Sequence, residues 1–122
     1  MNAANAPLYV RAHDLAVTLA RSSNAGTPTG VAALAAAFDL VTAVSLALTF
    51  PADRAAALRA ADHAVVRVRV LLRVAVDTGT LSTGAMRTLA SELDQIGKML
   101  GGWQRRQRRA HRGGELHDAP LA

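Results

Sequence analysis

LSTGAMRTLASELDQIGKMLGGWQRRQRRAHR, residues 81–112, is the stretch that decides the fold. Met86, Leu89, Leu93, Ile96, Leu100 and Trp103 recur at alternating steps of three and four. That spacing draws an unbroken apolar seam along one face of a helix, of the kind that packs against other helices. The last third of the stretch changes character. Lys98, Arg105, Arg106, Arg108, Arg109 and Arg112 stand there with no acid among them. One continuous element therefore has a core-forming half and a cationic end. The rest of the chain is what the seam packs on and what the charge serves.

The chain has 122 residues, a net charge of +5, 3% aromatic residues and no cysteine. This length is one domain with a real core. With so few aromatics the core is built from Ala, Val and Leu, which favours close helix packing over wide pockets. The cations between positions 98 and 112 outnumber the net charge of the whole chain, so the basicity is local and the remainder is close to neutral. A polyanion or an acidic protein surface is the natural partner of such an end. Disulfide and thiol chemistry are excluded. The start, MNAANAPLYV, lacks the basic residues and long apolar run of a signal peptide, and a cytoplasmic location is expected. Residues 31–50 are nearly apolar, but Asp39 lies at their centre. A carboxylate at mid-bilayer is expensive, so this stretch reads as a buried bundle helix and no membrane partner is expected.

Taken in order, residues 1–6 are expected to form a flexible leader. A first helix over 7–22 opens at Pro7 and carries Leu8, Ala12, Leu15 and Leu19 on one face. SNAGTPTG is a loop by composition, with Thr27 placed to cap a second helix whose first position is Pro28. That helix, over 28–49, is given a seam of Val31, Leu34, Phe38, Val41, Ser45 and Leu48, widened by Leu40, Val44 and Ala47. Phe50-Pro51 ends it, because the residue before proline resists helical geometry. The third helix, 52–77, packs through Leu58, Ala61, Val65, Val68, Leu72 and Ala75. Val66, Val70 and Val74 form a second stripe on another side. One buried face per helix suffices for a single bundle, so this stripe is assigned to a contact between copies of the chain. Gly79 is the expected left-handed stop, and Ser82 caps a fourth helix over 82–109. Within that helix, Gly97 is expected to admit a close neighbour and Gly102 to mark a bend. Residues 113–122 are expected to be a disordered tail. Four helices with short connections define an all-α, antiparallel up-down four-helix bundle.

Catalytic constellations do not assemble. His13, His63, His111 and His117 share no metal spacing, and Glu92 and Glu115 are too few for a carboxylate-bridged metal bundle. Glycine occurs without the Lys-Ser/Thr ending of a phosphate loop. Asp39 reads as a hydrogen-bonded structural carboxylate. No catalytic residue, metal or cofactor is assigned, and an enzyme is not expected. QRRQRR at 104–109 suits phosphate, because guanidinium forks match phosphate oxygens. Trp103 belongs to the seam, which gives it a core role ahead of base stacking. The assigned nucleic-acid contacts are Lys98, Arg105, Arg106, Arg108 and Arg109, followed by Arg67, Arg69 and Arg73. Nothing has the form of a sequence-reading module, so binding would follow shape and charge.

Leu58 and Asp62 precede RVLLRVAVDTG at 69–79, and LDQIGKMLGGW follows at 93–103 with basic residues after it. These pieces span roughly a third to a half of the chain, the first half matching only in helix pattern and length. Together they resemble a small bacterial four-helix-bundle family. It includes the accessory variability determinant of diversity-generating retroelements and proteins encoded in ribosomal RNA intervening sequences. The resemblance implies a bundle assembled into a ring-like homopentamer with a basic surface. It further implies partners: a reverse transcriptase, template RNA or cDNA, and other copies of the chain. The implied role is support of adenine-mutagenic copying of a template RNA. The alternative within the same resemblance is a structural or protein-interaction bundle of the intervening-sequence type, with no nucleic-acid role.

Overall fold

The computed structural model describes residues 5–118, with side chains described for 5–112. They form four α-helices and no strand: α1 Ala6–Ala20, α2 Pro28–Thr49, α3 Arg54–Asp77 and α4 Thr83–Asp118. A single 3₁₀ turn, Pro51–Asp53, joins α2 to α3. The local chemistry explains the boundaries. The Gly30 amide donates to Thr27 Oγ1 at 3.1 Å, with Pro28 at the first helical position. Phe50 is extended at φ −121° ahead of Pro51 and stops α2. Gly79, at φ 78°, turns the chain after α3 in a conformation that side chains resist. Ser82 Oγ accepts from the Ala85 amide at 3.1 Å and starts α4.

Each helix packs on its neighbour in sequence, and α4 closes on α1. Cross-helix pairs show the neighbours to be antiparallel. Asp39 and Ala47 of α2 meet Arg67 and Arg54 of α3, and Arg69 and Arg54 of α3 meet Asp94 and Trp103 of α4. Likewise, Arg11 of α1 meets Glu92 of α4, and Asn5, just ahead of α1, meets Arg106. The expected seams of α1 and α3 are buried throughout, as are Leu89, Leu93, Ile96, Leu100 and Trp103 of α4.

The buried face of α2 differs from the expected one. Leu40, Val44, Ala47 and Leu48 are buried as expected and Leu34 and Val41 partly so, but Val31 and Phe38 are exposed and Ala33, Ala36, Ala37 and Ala43 are buried in their place. A helix that is apolar nearly all round has no polar face to fix its rotation. The small side chains turn inward because they let α2 approach α3 most closely, and this pair is the most extensive contact in the bundle. By length and composition α2 is also the helix, among the described residues, that could cross a membrane. Here its alanine face is covered by the bundle.

Three further expectations change. Asn5, placed in the leader by sequence, is buried and bonded; Met1 to Ala4 lie outside the described residues. The space beside Gly97 is open, so no described helix approaches it closely. Finally, α4 runs through Gly101 and Gly102 without a break and continues to Asp118, past the expected end at 109. At 36 residues it is roughly 54 Å long. Of the expected tail, positions 113–118 are helical, and 119–122 lie outside the described residues.

Candidate nucleic-acid interface

The cationic end of α4 is presented on a helix anchored by its own seam. Leu100 and Trp103 are buried directly ahead of the arginines, so the guanidinia begin where the core ends. Helical periodicity then fans the charges apart. Lys98, Arg105 and Arg109 fall at spacings of seven and four and share the outward face, where all three are exposed. Arg106 turns toward α1, where its guanidinium donates to Asn5 Oδ1 at 2.8 Å. Arg108 turns the other way, toward the start of α3, and lines a groove there with Arg112. Among the described residues, no carboxylate lies within ion-pair distance of Lys98, Arg105, Arg108 or Arg109. Their charge is therefore available to a partner.

Gly101 and Gly102 serve this surface. The Arg105 and Arg106 guanidinia fold back over them, lying 3.4 and 3.3 Å from where a β-carbon would stand. One turn of spacing and no side chain let each guanidinium lie along the helix.

The three α3 arginines assigned from sequence are placed differently. Each lies beside a carboxylate: Arg67 at 3.4 Å from Asp39, Arg69 at 2.9 Å from Asp94, and Arg73 at 3.7 Å from Asp77. All these groups are largely exposed, so the pairs contribute little to stability, yet they offset the local field. Arg67 also accounts for Asp39, whose carboxylate ties α2 to α3 at the surface. The structure thus brings Lys98 and the QRRQRR arginines to one end of the bundle and leaves Arg67, Arg69 and Arg73 as neutralised pairs on its flank.

Arg54 belongs to the same end and was missed by sequence. Its Nε donates to the Ala47 carbonyl at 2.8 Å, and its guanidinium sits 5.6 Å from the centre of the Trp103 ring. A cation in the first turn of a helix is ordinarily unfavourable, so nothing in the sequence marked it. Trp103 is only 3% exposed and packs in the core beneath that cation. Among the described residues, no three His, Asp or Glu side chains group as metal ligands would. What the cationic end can do is hold phosphate by charge-assisted hydrogen bonds.

No known protein family, curated protein or solved structure matches the chain.

Proposed function

We propose that this protein is an accessory nucleic-acid-binding bundle that works beside a reverse transcriptase in a diversity-generating retroelement, supporting mutagenic cDNA synthesis from a template RNA. The observation that carries the nucleic-acid part is the outward stripe of Lys98, Arg105 and Arg109, with Arg108 beside it and no described carboxylate to offset it. Contacts of this kind neutralise phosphates regardless of sequence and release counterions. The retroelement setting and the polymerase partner rest on the resemblance of 69–79 and 93–103. Assembly into a ring-like homopentamer is part of the same proposal. Its support is the outward stripe of Val66, Val70 and Val74, which no described element of the bundle covers.

Two experiments test the two parts. Replacing Arg105, Arg108 and Arg109 by Gln should weaken RNA binding at every sequence and flatten its salt dependence by about three phosphates' worth of slope. Unchanged affinity and slope would remove the nucleic-acid role and leave the protein-interaction bundle as the reading. Sequencing the DNA that flanks the gene tests the setting. A neighbouring reverse transcriptase frame with two near-identical repeats differing at adenines is the expected result, and flanks with neither would end the retroelement assignment.

A further inference from the structure

Beside the outward arginine stripe lies a groove that contact with phosphate alone does not use. It runs between the 3₁₀ turn and first turn of α3 on one side and the end of α4 on the other. Its volume is about 630 Å³, its floor is Pro51, Ala52 and Ala55, and Gln107, Arg108, His111 and Arg112 border it. Ala55, Gln107 and Arg108 continue it into a recess of about 140 Å³ that adds Leu58, Arg59 and Gln104. Among the described residues, no carboxylate lines either part.

The composition of this groove selects its occupant. Its floor is alkyl and gains from covering a flat apolar face. Its walls carry guanidinia, which repel cations and attract phosphate. Arg108 and Arg112 stand one turn apart, roughly 6 Å along the axis, so two forks serve one side. Gln104 and Gln107, three residues apart, each bring both a donor and an acceptor. That amide pair has nothing to offer an alkyl chain, and it matches the mixed donors and acceptors of a base edge. A duplex hides its base faces in the stack and presents phosphates, sugars and base edges, none of which is a flat apolar face to cover an alkyl floor. A single strand presents both, and an unstacked base can lie against a guanidinium plane.

We infer that this groove takes an unpaired base of a single-stranded polynucleotide, so that the protein prefers single strands to duplexes. The inference rests on the nucleic-acid reading above and adds a site and a strand preference to it. Ala55 is exposed and lines both the groove and its recess, and replacing it by Leu fills the floor while preserving charge and helix propensity.

The test is fluorescence anisotropy on the full chain with a labelled single-stranded RNA and the duplex made from it, at one fixed salt concentration. Wild type should bind the single strand more tightly. Ala55→Leu should lower single-strand affinity roughly five- to ten-fold and leave duplex affinity and melting temperature unchanged. Arg105→Gln with Arg109→Gln should weaken both forms alike. Equal wild-type affinity for the two forms would overturn the groove assignment. So would an Ala55→Leu protein that binds as wild type does while the arginine variant loses both forms, a result that leaves the nucleic-acid reading standing. Displacement of an alkyl carboxylate or an acidic peptide by Ala55→Leu, with single-strand binding unmoved, would overturn it as well. Failure of wild type to bind either RNA would remove both readings together.

Discussion

Arg106, deep in the cationic run of α4, donates to the side-chain oxygen of Asn5 at 2.8 Å, joining positions 101 residues apart. Asn5 is only 5% exposed, so its carbonyl oxygen depends on that guanidinium. The contact pins the start of α1 to the arginine end and withdraws one cation from the pool available to a ligand. Asn5→Ala should lower stability by about 1 kcal/mol, a value reduced from that of a buried charged hydrogen bond because Arg106 is solvent-exposed. Urea denaturation checks it. The same variant should bind RNA slightly more tightly, since Arg106 is released. A loss of binding would instead mean that the ordered start of α1 shapes the interface.

The rotation of α2 makes a second prediction, one that separates two large apolar residues of the same helix. Leu40 is fully buried, whereas Phe38 is 52% exposed. Leu40→Ala should cost about 2–5 kcal/mol, while Phe38→Ala should cost under about 1 kcal/mol. Thermal or urea unfolding of the two variants decides it. Comparable losses would mean that α2 presents the face its larger side chains suggested.

How much of this was legible follows from contrast along each helix. In α4, polar residues stand between Leu89, Leu93, Ile96 and Leu100, so only one rotation buries the seam. The caps at Thr27 and Ser82 and the stop at Gly79 were equally plain, because each is a local backbone requirement. α2 offered no such contrast, and alanines lost out to larger residues in a seam drawn by size. Pairing between helices was also invisible. Arg67, Arg69 and Arg73 look like open charge until folding sets Asp39 and Asp94 on the neighbouring helices beside the first two. Arg73 found its partner one turn away on its own helix, a pairing the sequence does carry.

Gly97 is half-buried within α4, and a β-carbon placed on it would meet nothing within 4 Å. It therefore carries the entropic penalty of a helical glycine with no packing return inside one bundle. Gly97→Ala should stabilise the isolated chain by roughly 0.5–1 kcal/mol. A rise in thermal midpoint accompanied by weaker self-association or polymerase binding would assign the open space to a partner.

The exposed ion pairs make a prediction with opposite signs for stability and binding. Asp39→Asn combined with Asp94→Asn removes the partners of Arg67 and Arg69, which lie at the surface. Stability should fall by no more than about 1 kcal/mol. If the α3 flank takes part in binding, RNA affinity should rise and its salt dependence steepen by up to about two phosphates. An unchanged salt slope, measured by anisotropy across a salt series, would confine the interface to the end of α4.

Val66, Val70 and Val74 stand at four-residue spacing on the outward side of α3, 57%, 55% and 41% exposed. Three aligned valines on a solvated helix are costly to leave uncovered, and a neighbouring copy would bury them. Val70→Glu tests this without touching the core. In a lone bundle the new carboxylate would be solvated and would lie one turn from Arg67 and Arg73, both favourable neighbours. At an interface it would be buried without a partner, which association tolerates poorly. Sedimentation velocity should therefore show wild type as an oligomer and the variant as a monomer, with helical content unchanged by circular dichroism. A wild-type monomer, or a variant that assembles as wild type does, would remove the valine stripe from the contact between copies.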